Sequence, residues 1–269
     1  MRPLDRIVVG LVIATGVIAV SGCNRLTFIR PNYDKMKIEQ VRQPVRASDN
    51  AAARARMSAQ DEIRLAAVAL QSGDLAGAKS KARAALKADP ASVDAHTLLG
   101  VIAEREGQTE EAGSWLKKAA ELSSGRPEEV ANYGVWLCSN GRALESLEYF
   151  VFAAQQASDE AGSALANAGS CAIKAGLDDR GDAYLRRSLQ LDPQQRLALE
   201  QLAALSLKRG NGMEARAFIE RRLALPPVTA EILTTARQIE LLMGDNRTAE
   251  RYQQRLRSEF PANAITPGN

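Results

Sequence analysis

Six hexapeptides decide the fold: GDLAGA at 73–78, GQTEEA at 107–112, GRALES at 141–146, GLDDRG at 176–181, GNGMEA at 210–215 and GDNRTA at 244–249. Each opens on a glycine, and Gly73, Gly107, Gly141, Gly176, Gly210 and Gly244 stand 34, 34, 35, 34 and 34 residues apart. Each closes on a small residue: Ala78, Ala112, Ser146, Gly181, Ala215 and Ala249. Small residues at a fixed offset suit a close crossing of two helices, where a larger side chain would overpack the contact. Pro90, Pro193, Pro227 and Pro261 close four of the units at one common offset. The proline ring and its missing N–H end a helix there.

A glycine recurring every 34 residues between two helical patterns is the turn of the helix–turn–helix unit of the tetratricopeptide class. The expected fold is all-α, a right-handed superhelical solenoid of six such repeats. The units run approximately 59–92, 93–126, 127–161, 162–195, 196–229 and 230–262. No unit can bury its apolar face alone, so the stack itself is the fold. In the first unit Leu65, Ala66 and Ala69 are expected to meet Ala78, Ala82 and Ala85. Stacks of this kind present an extended concave surface lined by the first helix of each repeat. Its polar positions would include Asp94, Glu104, Arg105, Glu128, Lys174, Glu200, Lys208 and Glu231. Its most apolar neighbourhood is Ile63, Ala67, Leu70 and Val101, a groove suited to an amphipathic partner segment. Equally, the preceding residues Ala51–Met57 could pack there as a cap.

Bulk composition agrees. Apolar residues make up 45% of the 269 and aromatics only 4%, as small, tightly packed helices require. A net charge of +3 does not point to nucleic acid. Residues 24–57 hold eight Lys/Arg against three Asp/Glu, while the repeat region is near −3.

Residues 1–22 read as an export signal. Arg2 and Arg6 precede the apolar run Ile7–Val20, which is followed by Ser21, Gly22 and Cys23. A charged start, a short apolar core and small residues before a cut describe a signal peptide. The apolar run is shorter than the roughly 20 residues of a membrane span. Val20-Ser21-Gly22-Cys23 resembles the bacterial lipobox, which implies lipidation of the Cys23 thiol; the other reading is an ordinary signal with an incidental cysteine. Several acyl chains on one residue give stable anchoring. Asn24, rather than aspartate, implies the periplasmic face of the outer membrane. Residues 23–57 would then form an extended basic tether, drawn to anionic headgroups or acting as a plain spacer. Residues 263–269 would be a disordered tail.

Catalytic signatures are missing from the sequence: it contains no HExxH, CxxC, GxSxG or phosphate loop. His96 is the single histidine and reads as a packing or surface residue. Asp178 and Asp179 follow a turn glycine, where carboxylates favour a helix start. The chain therefore reads as a binding protein without catalytic residues, metal or cofactor, apart from the covalent lipid on Cys23. Cys138 and Cys171 fall in the first helices of adjacent repeats, which permits either a bridge or two buried thiols.

The third repeat carries Asn132-Tyr133-Gly134-Val135-Trp136-Leu137-Cys138-Ser139-Asn140-Gly141-Arg142, followed by Glu145 and Phe150. The fourth continues with Asn167, Gly169, Cys171, Ala172 and Gly176, and the chain ends its repeats on Leu256 and Phe260-Pro261. This pattern resembles the PilF/PilW family of type IV pilus biogenesis lipoproteins, through Asn132, Tyr133, Gly134, Leu137, Cys138, Gly141 and Arg142. Ala131, Ser146 and the length of the tether depart from it. The resemblance implies a pilotin: a lipid-anchored scaffold at the outer membrane that binds the pilus secretin and promotes its multimerisation. Other pilus assembly proteins are further expected partners. It also implies a disulfide between Cys138 and Cys171. A second reading is an outer-membrane repeat lipoprotein that serves as an adaptor for cell-wall enzymes or another envelope assembly machine.

Overall fold

The computed structural model describes residues 51–157 and 159–261. The export signal, Cys23, the tether up to residue 50 and the tail from 262 lie outside them. Among the described residues there are twelve helices and no strand. They pair as α1 (Ala51–Gln71) with α2 (Leu75–Ala88), α3 (Val93–Arg105) with α4 (Thr109–Leu122), and α5 (Pro127–Ser139) with α6 (Ala143–Gln156). The second half pairs α7 (Ala161–Lys174) with α8 (Asp178–Leu191), α9 (Arg196–Lys208) with α10 (Gly212–Leu223), and α11 (Ala230–Leu242) with α12 (Asn246–Glu259). This is the six-repeat tetratricopeptide superhelix expected from the glycine period.

One local device makes every turn. The six period glycines all have positive φ, between 75° and 82°, where a side chain would strain the backbone. The residue after each glycine donates its N–H to the carbonyl five positions back: Asp74 to Ala69, Gln108 to Ala103, Arg142 to Leu137, Leu177 to Ala172, Asn211 to Ser206 and Asp245 to Glu240. That is the Schellman closure of a helix C-terminus. At Asp74 and Asp245 the same residue then caps the next helix, its carboxylate accepting from the N–H of Gly77 and Thr248. Termination of one helix and initiation of the next thus occupy two residues.

The crossing within each pair follows from the small residues. Ala78, Ala112, Ser146 and Ala215 are wholly buried and Ala249 is nearly so. The crossing of α7 on α8 is close: a Cβ added at Gly169 would fall 2.5 Å from Leu185 Cγ and 3.0 Å from the Gly181 carbonyl oxygen. Repeats then stack through first helices that also lie against one another, α1 on α3, α5 on α7, α7 on α9 and α9 on α11. This closer layer is the inner, concave wall; the second helices form the outer one. A disulfide between Cys138 of α5 and Cys171 of α7, with Cα atoms 5.8 Å apart, ties two neighbouring inner helices.

Two expectations at the N-terminus are corrected. Helix begins just after Asn50, as expected, but residues 51–57 belong to α1 itself and are mostly exposed, so they do not fold back as a cap. Leu65 does not join the crossing of α1 on α2. It is 51% exposed, whereas Ala66 and Leu70 pack with Ala78, Ala82, Leu99 and Ile102.

Candidate interaction surface

The apolar groove expected on the first two repeats is shallower than its sequence suggests. Leu70 is 8% exposed and is a core residue. Val101 packs against the same cluster, and Ile63 against Ala59, Ala85 and Ala95. Ile63, Ala67 and Val101 remain half-buried, so part of each stays open to solvent. A small polar cavity of about 190 Å³ adjoins Ile63 and is bordered by Arg56, Gln60, Asp94 and Arg126. Arg126 lies 3.5 Å from Asp94 and 3.2 Å from Glu129. Burial pushes the Glu129 carboxyl above its ordinary range, with Arg126 opposing the shift.

Several charged positions of the concave surface have structural partners. Arg105 Nη1 donates to the Leu70 carbonyl (3.0 Å) and Lys174 Nζ to the Cys138 carbonyl (2.9 Å). Each cation therefore satisfies a terminal carbonyl of the preceding first helix, where the helix dipole is negative. Lys208 and Arg209 do related work on α8, pairing with Asp178 and Asp179 at 2.6 and 2.7 Å. These two carboxylates stand in the first turn of α8, as their position after the glycine suggested.

Toward the C-terminus the concave wall is polar. A cavity of about 390 Å³ between α9 and α11 is bordered by Glu200, Gln201, Ala204, Thr229, Glu231 and Thr235. Glu200 also borders a neighbouring cavity of about 620 Å³. Arg222, 3% exposed, donates to Glu200 and to the carbonyls of Leu225 and Pro227, which fixes the loop entering α11. With Glu231 exposed and the half-buried Glu200 held by Arg222, this end suits hydrogen bonds rather than an apolar helix.

The third-repeat motif is chiefly an interlock between repeats. Trp136 is 4% exposed; its ring fills the space over Gly113 of α4, and its Nε1–H donates to the Thr109 carbonyl (3.1 Å). Tyr133 stacks on Trp136 with ring centroids 5.8 Å apart and meets Tyr149 edge-on at 4.9 Å. Gly134 lets the Phe150 ring approach, and Leu137 is fully buried. Gly141 makes the turn, and Arg142 covers the Trp136 ring at 5.7 Å while binding Glu145 through two hydrogen bonds. Asn132 is exposed on α5. His96 is buried against Trp115, its Nδ1 2.8 Å from the Ser92 carbonyl oxygen.

Sequence reading missed one feature, an apolar cleft of about 480 Å³ in the outer wall between α4 and α6. Its one large exposed apolar side chain is Phe152 on α6, whose exposure no local sequence pattern announces.

Comparison with known proteins agrees with this architecture. The tetratricopeptide repeat family profile matches residues 63–127. The chain is 26% identical over 193 residues to the type IV pilus assembly protein PilF of Pseudomonas aeruginosa, covering 71% of this chain and 77% of that protein. The solved structure of P. aeruginosa PilF superposes with a TM-score of 0.68 at 26% identity, over 78% of this chain and 94% of that one. PilW, a widely conserved type IV pilus biogenesis factor, gives a TM-score of 0.69 at 26% identity, over 76% and 94%. A tetratricopeptide repeat protein of Parabacteroides merdae, at 20% identity and a TM-score of 0.60, shares the fold. The likeness read from Asn132–Arg142 thus extends over most of the solenoid.

Proposed function

We propose that this chain serves type IV pilus biogenesis as a pilotin, a lipid-anchored scaffold that binds the pilus secretin and promotes its multimerisation in the outer membrane. The observation that carries the reading is the similarity to PilF and PilW along nearly the whole repeat stack. A solenoid offering long surfaces and no catalytic signature suits a protein-interaction role. Cys23, lipidated after removal of residues 1–22, would supply location, and the periplasmic face of the outer membrane is the site implied by Asn24. The half-buried Ile63, Ala67 and Val101 are the secretin contact we favour at the N-terminal end of the groove. Leu70 drops out of that contact because it is core.

The test is deletion of the gene followed by a blot for heat-resistant secretin multimers, with complementation by the wild-type chain and by Cys23→Ala. Loss of multimers on deletion, restored by the wild type and not by Cys23→Ala, supports the reading. Unchanged multimers in the deletion strain overturn it. Recovery of wall hydrolases or synthases instead of secretin in a pull-down would favour the adaptor reading.

A further inference from the structure

In the outer wall, successive second helices are separated by a cleft whose floor is the first helix between them. Two of these clefts are lined by ion pairs. Between α8 and α10, Arg186 binds Asp182 on its own helix and Glu214 on the next (2.6 Å), with its guanidinium 5.7 Å over the Phe218 ring. Between α10 and α12, Arg216 binds Glu240 on α11 and lies 3.7 Å from Asp245. The cleft between α4 and α6 differs: among the described residues no ion pair crosses it.

Ala120 of α4 and Tyr149 and Phe152 of α6 form apolar walls, and Val130 and Tyr133 of α5 form the floor. The turn at Ser124 and Gly125, both with positive φ, closes one end, its backbone near enough that a Cβ on Gly125 would lie 3.4 Å from the Phe152 ring. Phe152 nevertheless remains 42% exposed. At about 480 Å³ the cleft falls within the ~300–1,000 Å³ range of ligand pockets. Its rim carries Lys117 and Glu121 on α4 and Glu148 on α6. Lys117 and Glu148 have no ion-pair partner among the described residues, which leaves one unpaired charge of each sign on opposite walls. Lys118 and Glu121 pair with each other, as do Arg142 and Glu145.

We propose that this cleft is a second docking site, for an amphipathic segment of a protein partner. The segment places one large apolar side chain, phenylalanine or leucine, between Ala120, Tyr149 and Phe152. It brings an acidic side chain to Lys117 and a basic one to Glu148. The argument is complementarity: a desolvated apolar centre supplies affinity, while opposed charges on the two walls set direction and reject segments of a single sign. The site lies on the outer wall, apart from the concave groove, so the secretin reading can fail without it.

The test uses the full-length chain in detergent and four fluorescein-labelled synthetic peptides, read by fluorescence polarisation. Two carry a central phenylalanine flanked at three residues by Glu and Lys, in either order; the other two carry Glu on both sides or Lys on both sides. One mixed-charge order binds at least tenfold tighter than either single-sign peptide, and replacing its phenylalanine with alanine weakens it at least tenfold. Phe152→Glu, at an exposed position, abolishes that binding with an unchanged thermal melt. Glu148→Lys transfers the preference to the doubly acidic peptide. Equal binding by Phe152→Glu, or no preference among the four peptides, overturns the proposal. So does a concentration-dependent dimer that Phe152→Glu dissolves, since the occupant would then be a second copy.

Discussion

Gly169→Ala measures how closely two backbones must approach for this stack to form. The substitution gains about 1 kcal/mol from helix propensity, because glycine is that much poorer than alanine in a helix interior. Against this, the new methyl would sit 2.5 Å from Cγ and 2.8 Å from Cδ2 of Leu185, and 3.0 Å from the Gly181 carbonyl oxygen. Leu185 is wholly buried, and the third neighbour is backbone, so neither can swing aside. Overpacking of this kind costs roughly 1–3 kcal/mol, and rigid neighbours place it at the upper end. The net is a loss of about 1–2 kcal/mol. For a domain of this size that lowers Tm by roughly 2–8 °C. Gly134→Ala is the internal control. There the nearest atoms belong to the Phe150 ring at 3.1–3.3 Å with no backbone among them, so although that ring is also buried it need give only a few tenths of an ångström. The propensity gain then offsets the strain, and the melt stays within about 2 °C of wild type. Far-UV circular dichroism melts of the three proteins decide the matter. If Gly134→Ala melts as low as Gly169→Ala, or if Gly169→Ala melts above wild type, the close-crossing argument is wrong.

Other perturbations test the polar part of the core. Arg216→Met leaves Glu240, 2% exposed, without its partner; a loss of about 3 kcal/mol in urea unfolding is expected, most of it recovered by Arg216→Met with Glu240→Leu. Reducing the bridge between Cys138 and Cys171, 33 residues apart in sequence, should cost about 4 kcal/mol in the chain-entropy picture, seen as a lower urea midpoint with reductant; no shift would mean the unfolded chain is not constrained by it. Glu129→Gln tests a raised carboxyl. Because the folded state holds that proton more tightly than the unfolded chain, its stability falls as pH rises from the ordinary carboxylate range through the raised value. The glutamine variant should therefore be the more stable near neutral pH and lose that advantage in acid, as comparison of urea midpoints at the two pH values will show.

The repeat stack was legible because its signals are local. A positive φ admits glycine at little cost, so Gly73 and its five counterparts mark turns wherever they stand. The small residue five positions on marks the crossing, since helix pitch alone brings it to the partner helix. Asp178 and Asp179 were placed at a helix start by the same kind of reasoning. The N-terminal groove was legible only in part. Leu65 and Leu70 share one helix and one chemistry, yet one is half exposed and the other is core. Choosing between them requires knowing where α2 and α3 lie around α1.

The sequence by itself determined the number of repeats, the position of every turn, the small residue at each crossing and, through Asn132–Arg142, the likeness to pilus biogenesis proteins. Tertiary structure alone decided which apolar side chains remain available. Burial depends on what the neighbouring repeat contributes from some thirty residues away, and a period cannot encode that. Arg186 and Arg216 place ion pairs in two outer clefts because a carboxylate stands opposite each of them. Between α4 and α6 no such pair meets, and Phe152 is left facing an open apolar cleft.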